Sequence, residues 1–457
     1  MGIIYDRNFW LSAVFGLALT GCGEVTQYSE PKTPLPETFS APEAKKAVKK
    51  VSTQTSWWRN FRDPTLDRLV TMALRDNLQL AQARLRVEEA DELILTAGPA
   101  IDITGRLETQ VADSALGGDR RTGTLTGRAT LIGSQRYRTE AARARAQIAQ
   151  DERNAAQLLL LSNLTSAYID LRFVQKRLNL KYQELKSWQQ TATDLERLER
   201  EGAVTRLETL QPSAEISETR AEISVLLVEV ERQKNRIATL LGKVAGVDEV
   251  NLNYRGQPYP RFRAASGVPA DLLINRPDVR SAQSGYRLAV AELNVAEADR
   301  YPSLDLTGTI LGRRGVSPNS SGISILGLTL PIFNQGANKA RVAARHKRVE
   351  AAFLEWKSRV LVAMEEVETL LVAQRKLQNA VGSASQAVKL NSEAVTLSRD
   401  LLRVQELSVL DFVRLQRNKL DAEANLAQNR RQRALNYVAL QVALGAGSTF
   451  VAAAPTN

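Results

Sequence analysis

The chain has almost no cysteine, histidine or aromatic side chain to do chemistry with. One Cys (Cys22) and one His (His346) stand among 457 residues. A disulfide framework, a Cys/His zinc site and a Cys–His nucleophile pair are therefore excluded. Aromatic residues make up 5% of the chain, low for a protein that stacks nucleotides or encloses a ligand pocket. Lys and Arg outnumber Asp and Glu by 61 to 50, for a net charge of +11. Both signs are spread along helical stretches, which reads as solvated helix faces and argues against a nucleic-acid partner. No Gly-rich phosphate loop precedes a helix. The adjacent carboxylates Glu88-Glu89 and Glu365-Glu366 diverge on a helix surface. His346 lies between Arg345 and Lys347 in a basic helical stretch, with no partner placed by sequence. No catalytic set and no metal site survive, so the chain reads as a non-enzyme without a cofactor.

What is present begins at the amino terminus. Phe9 to Gly21 is a nearly unbroken apolar run of 13 residues, too short to span a bilayer as a helix. It ends in Leu19-Thr20-Gly21-Cys22, where the single cysteine of the chain falls. This resembles a bacterial lipobox: Cys22 receives a diacylglycerol group, the signal (1–21) is cut before it, and the new amino terminus takes an N-acyl chain. Several acyl chains anchor a protein stably. Gly23, in place of an aspartate, favours onward transport to the outer membrane. Pro31, Pro34, Pro36, Pro42 and Pro64 then crowd an extended segment, 22–64.

The remainder is written twice. Pro99-Ala-Ile-Asp-Ile-Thr-Gly105 returns as Pro302-Ser-Leu-Asp-Leu-Thr-Gly308, and Leu241-Gly242 returns as Leu444-Gly445, both at an offset of 203. Length alone suggests about three domains, but the repeat implies one duplicated unit, 65–242 and 268–445, with a linker (243–267) and a tail (446–457). Each unit reads as a helix (65–97; 268–298), two strands, a very long helix (135–200; 336–404) and a medium one (206–242; 409–444). No glycine occurs from Ser134 to Glu201; a helix of that length would run about 100 Å. Leu164, Tyr168, Leu171, Leu178, Tyr182 and Leu185 follow coiled-coil spacing, interrupted at Gln175. Val360, Met364, Val367, Leu371, Val381, Val388, Val395 and Leu402 repeat it more thinly.

The strands alternate. Ile101, Ile103, Gly105 and Leu107 oppose Asp102, Thr104, Arg106 and Glu108; Leu125 and Gly127 oppose Thr126 and Arg128; Leu304, Leu306 and Ile310 oppose Asp305, Thr307 and Thr309. Four strands of about ten residues match the length a tilted membrane strand needs. Four cannot close a barrel, and an open edge in lipid leaves backbone groups unpaired. If these strands cross a membrane, several copies of the chain must combine. The polar positions Asp102, Arg106, Glu108, Arg128 and Asp305 would then face the lumen, where they either bias ion passage or are simply wetted.

At the motif level the chain resembles the TolC-type outer membrane factors, in the OprM/NodT branch of lipid-anchored efflux channels. Trp57-Trp58 with Phe61, Asp63 and Leu66 is similar to the family's opening, and Val268-Pro-Ala-Asp-Leu-Leu-Ile-Asn-Arg-Pro-Asp-Val279 to its most distinctive segment. Leu330-Pro-Ile-Phe-Asn334 and Gly202-Ala-Val204 with Leu207 and Leu210 resemble its strand return and its helix turn. The departures are Leu407 where a second turn glycine is usual, Glu208 nearest the usual aspartate, and Pro212, which should kink its helix.

The resemblance implies an α+β membrane protein. A homotrimer would assemble a 12-stranded outer membrane β-barrel continued by an α-barrel tunnel of coiled-coil-like helices. It also implies a passive exit duct, docked by a periplasmic membrane-fusion adaptor and served by an inner-membrane RND-type pump. Gly202, Ala203, Val204, Leu407, Ser408 and Val409 are the implied docking tips. The cargo class it favours is small toxic or amphiphilic compounds; a TolC-like channel for polypeptide secretion has the same architecture.

Overall fold

A computed structural model of the chain describes residue 29 and residues 56–97, 101–110, 120–246, 250–260, 276–314, 320–329, 335–404 and 406–448. Cys22, segment 268–275 and Leu330–Asn334 lie outside the described residues. A short 3-10 turn, Trp57–Phe61, leads into α1 (Pro64–Asp76), α2 (Leu78–Thr96), β1 (Ile101–Gln110), β2 (Arg120–Ile132), α3 (Gln135–Arg200) and α4 (Arg206–Leu240). The second half gives α5 (Pro277–Ala298), β3 (Ser303–Arg314), β4 (Ser320–Thr329), α6 (Gln335–Arg403) and α7 (Val409–Ala443). Among the described residues no helix is long and apolar enough to cross a membrane.

Two expectations change. The helix expected over 65–97 is broken at Asn77, whose backbone is extended. Its Oδ1 accepts from the Leu80 N–H at 2.9 Å, capping α2, while its Nδ2 donates to the Leu240 carbonyl. An Asn that caps one helix and ties down the end of another terminates the first by offering its orphan groups better partners. The coiled-coil seam of α3 also drifts. Leu164, Tyr168 and Leu171 are buried as expected, but Tyr182 is 48% exposed, and Leu180, Glu184, Trp188 and Leu195 take over the inside. A straight helix with 3.6 residues per turn rotates away from a strict heptad, and that drift sets which residues face in. On α6 the expected seam holds, with Val360, Val367, Val381 and Val395 buried.

The chain divides into two compact units, each assembled from several stretches of sequence. One comprises 1–33, 85–151 and 280–359 and carries the sheet. Its strand order is β1-β2-β3-β4, antiparallel throughout, so the two hairpins of the repeat meet at β2 and β3. In the same unit Leu293, Ala296 and Val342 form a small apolar cluster. Glu292 pairs with both Arg145 and Arg345, and half-exposed His346 sits 3.6 Å from Glu297. Asp151 is buried against Arg280 at 3.1 Å, and its burial pushes the carboxyl above the ordinary range despite that cation.

The other unit comprises 34–84, 152–279 and 360–457. Its main core packs Trp57, Trp58, Phe61, Leu66, Leu69, Leu161, Leu164, Tyr168 and Tyr437. Asp63 is the N-cap of α1, accepting from Thr65 N–H at 2.9 Å, and it also accepts the Tyr168 hydroxyl at 2.5 Å. The Tyr437 hydroxyl, buried and held by Asn60, is pushed up to about 12 by its burial. Gln175, the residue that interrupts the apolar seam, donates to the Leu252 carbonyl at 2.6 Å. Arg172, beside it, donates to the Leu252 and Asn253 carbonyls. The interruption is thus the fastening point for the linker.

Candidate functional site

The sequence motif Arg276-Pro277-Asp278 starts α5, with proline at the first helical position, where its missing N–H costs nothing. Arg276 is nearly buried. Its Nε and Nη2 fork onto the two Asp278 oxygens at 3.0 and 2.8 Å, while Nη1 reaches Glu366 on α6 at 2.8 Å and the Ala443 carbonyl at the end of α7 at 3.0 Å. Burial alone would raise the Asp278 carboxyl, but the Arg276 fork more than reverses this and holds it below the ordinary carboxylate range. One guanidinium therefore joins three helices of this unit. The motif is structural, and its arginine is specific because only a planar fork makes these contacts together.

Two helix reversals carry the expected tips. At the first, α3 ends at Arg200 and Gly202 takes φ 74°, the left-handed conformation. Gly202 N–H donates to Glu199 and Ala203 N–H to the Leu198 carbonyl, closing the orphan acceptors of the helix end. Thr205 then caps α4, and the Glu208 carboxylate accepts from the Thr205 N–H at 2.7 Å. Glu208, read in the sequence as the nearest acid to a missing aspartate, is the third helical residue and closes a capping box with Thr205. At the second reversal Ser408 caps α7: its Oγ accepts from Asp411 N–H at 3.1 Å and donates to the Asp411 carboxylate. The Ser-x-x-Asp spacing was available in the sequence as the signal for this cap.

The structure brings the two reversals onto one apolar cluster. Trp188, Leu195, Val409 and Val413 are its buried members, with Leu198, Val204, Ile216 and Leu402 packed against them. Of the six expected tip residues, Gly202, Ala203 and Ser408 are exposed, Val204 and Leu407 are half-buried, and Val409 is 5% exposed. Exposed apolar groups beside the turns are Leu207, Leu210, Val404 and Leu410. The first two belong to the turn motif; the last two were not singled out in the sequence, where nothing distinguishes an outward from an inward leucine next to a turn.

The sheet brings all five expected polar strand residues to one face. In register, Asp102 lies opposite Arg128, Arg106 opposite Thr124 and Glu108 opposite Thr122; Asp305 lies opposite Thr130 and Thr307 opposite Arg128. Alternation places Arg106, Arg128 and Asp305 with Thr126 and Thr309, whose hydroxyls approach to 3.5 Å. The other face carries Ile103, Leu125, Leu306 and Ile310, with Gly105, Gly127 and Gly308 between them. The alternation slips on β4, where Ile323 and Ile325 fall on the polar face. Among the described residues no strand lies beside the outer edges of β1 and β4 in the sheet. Among the described residues no group of three or more His, Cys, Asp or Glu is placed to hold a metal.

Residues 69–243 and 268–446 match the family model of the outer membrane efflux protein. The chain belongs to that family. Among its relatives, nodulation protein T of Rhizobium leguminosarum bv. trifolii is 33% identical, covering 96% of this chain and 97% of its own. Outer membrane protein OprJ of Pseudomonas aeruginosa is 25% identical over 96% of each chain. Among solved structures, the outer-membrane channel OprN superposes with a TM-score of 0.83 at 25% identity, over 93% of this chain and all of that one. The open-state outer membrane channel MtrE of Neisseria gonorrhoeae superposes with a TM-score of 0.79 at 24% identity, over 93% of this chain and 98% of that one, which shows the shared fold. This outer membrane efflux protein therefore has the tunnel-and-barrel fold, built from long helices and four strands per chain. OprN and MtrE are outer-membrane channels.

Proposed function

We propose that the protein is the exit duct of a tripartite efflux system, conducting small toxic or amphiphilic compounds passively from a periplasmic membrane-fusion adaptor and an inner-membrane RND-type pump to the exterior. The observation that carries this reading is the sheet: four antiparallel strands with one apolar face, one polar face and two unpaired edges. In lipid such edges are tolerated only if they are closed, and three copies supply the twelve strands of a barrel. The apolar face then meets lipid and the polar face lines the lumen. Asp102 opposite Arg128 sets opposite charges side by side, so the lining offers wetting without a strong single-sign field. A duct of this kind needs no chemistry of its own.

The acyl chains on Cys22 tether the extended segment 22–64 to the inner leaflet of the outer membrane. The adaptor meets the helix reversals around Gly202–Val204 and Leu407–Val409, where exposed Leu207, Leu210, Val404 and Leu410 offer apolar contacts to another helix pair. Light scattering and mass spectrometry of detergent-extracted protein test the duct. The expected particle contains three chains. Replacing Cys22→Ser should remove the acyl mass and leave the trimer. A monomer in detergent would overturn the reading.

A further inference from the structure

Two helices of the sheet-bearing unit are tied to opposite edges of its sheet: α2 leads into β1 at one edge, and β4 leads into α6 at the other. Both helices are largely uncovered. From Leu85 to Thr96 no residue of α2 is buried, and only Val87, Ala90 and Ile94, one stripe at helical spacing, are half-buried. The opposite face presents Leu85, Glu88, Glu89 and Glu92, with Leu85 63% and the flanking Leu95 73% exposed. From Gln335 to Val349, α6 likewise turns one stripe inward: Val342 is buried, and Asn338, Arg345 and Val349 are half-buried. Its outward face carries Ala340, Ala343, Ala344 and Lys347, with Lys339 and Arg341 on the flanks, all exposed.

The two faces have opposite sign. Over Leu85–Thr96 α2 holds four acids, Glu88, Glu89, Asp91 and Glu92, against one cation, Arg86. Over Gln335–Val349 α6 holds five cations and no acid. Of these, Arg345 is taken up by Glu292, and Lys347 meets Glu350, 2.9 Å away, on exposed surface. Like charges three or four residues apart on a helix repel, so each face is costly in isolation. Where the β1 edge of one copy meets the β4 edge of the next, α2 and α6 come side by side. They run antiparallel, since α2 runs toward the sheet and α6 away from it. Glu92 lies four residues from the sheet end of α2, and Lys339 four from the sheet end of α6, about 6 Å of helix in each. Glu89 and Arg341, seven and six residues down, match at the next level.

We propose that the acidic face of α2 docks on the basic face of α6 of a second copy of this chain, and that this charge pairing selects the neighbour and fixes its direction in the ring. The surface rests on the trimer reading above. Charge pairs across an interface discriminate among partners and set register more than they add affinity. The alanines of α6 let the facing helix approach closely, and Leu85 and Leu95 are covered by the contact.

The test uses the full lipidated protein in detergent at low salt. A zero-length carbodiimide condenses a carboxylate with an amine it touches, with loss of water, and leaves an amide. Mass spectrometry of the covalent dimers and trimers should find Glu88, Glu89 or Glu92 joined to Lys339 or Lys347, and the same peptides should be missing from the monomer band. A trimer by light scattering without such a link overturns the surface alone. A wild-type monomer overturns the trimer reading, and the surface with it. Charge reversal supplies the second arm. Glu88→Lys, Glu89→Lys and Glu92→Lys together, or Lys339→Glu, Arg341→Glu and Lys347→Glu together, should each speed trimer dissociation roughly tenfold, because like charges then face each other. All six in one chain should bring the rate back to within about threefold of wild type. If one reversal abolishes assembly, the six-fold variant must regain it. A six-fold variant no better than the worse reversal overturns the surface.

Discussion

At the scale of single residues, the same amino acid does different work at two helix ends. Gly202 and Gly242 both take the left-handed conformation that closes a helix end. A Cβ at Gly202 would meet nothing within 4 Å, whereas at Gly242 it would lie 2.5 Å from the Asp76 carbonyl oxygen. Gly202→Ala should therefore cost only the left-handed penalty, about 1 kcal/mol. Gly242→Ala adds a backbone clash that no rotamer relieves, raising the cost to roughly 3 kcal/mol. Apparent Tm by circular dichroism in detergent should rank the two in that order. A second residue-scale prediction concerns acid. Asp278 is held below the ordinary carboxylate range, so its contribution is present above pH ~4 and lost as pH falls through its folded value. The Tm advantage of wild type over Asp278→Asn should shrink on going from pH 7 to pH 3. A constant gap would mean that the Arg276 fork is not what the carboxylate adds.

At the scale of elements, the sequence announced most of the long pieces because their breaks are chemical. The run without Gly or Pro from Ser134 to Glu201 became α3, and the proline-free stretch after Pro331 became α6, each within a residue or two of the expected ends. Inside them, the pattern said less. Asn77 stops a helix by capping the next one, and nothing local distinguishes it from an exposed helical Asn until Leu240 is known to lie beside it. Tyr182 fits the heptad yet faces out, since helix rotation accumulates over distances that a short spacing rule ignores. Pro212 lies inside α4, among its buried residues. For the candidate sites, alternation identified the polar strand face, while the shared cluster beneath the two turns required the fold, since its members are more than 200 residues apart. That cluster predicts coupling. Trp188→Ala removes its largest buried member, a change worth about 3–5 kcal/mol in a packed core. Hydrogen exchange should rise in both reversals, around 198–205 and 402–413. Acceleration confined to the first hairpin would show that the second turn is held by something else.

At the scale of the whole molecule, the two edges of the sheet decide how copies of the chain can meet. β1 and β4 differ in sequence, so a contact between them joins unlike surfaces of successive copies. Such a head-to-tail contact either closes into a ring or runs on without limit. In the duct proposed above, twelve strands, four from each of three copies, would close the barrel. This makes a prediction that distinguishes closure from mere association. A single cysteine at Thr104 on β1, combined one at a time with cysteines at Ser324, Ile325, Leu326 or Gly327 on β4, samples the possible registers of the joint. Only cysteines with Cα atoms about 5–6 Å apart will oxidise. One pairing, or two neighbouring ones, should convert the protein in membranes almost wholly to covalent trimers on denaturing gels, with dimers as intermediates and nothing larger. A ladder extending past three would mean that the edges meet without closing. Absence of any cross-link at every register would mean that β1 and β4 are covered by something other than a second copy of this chain.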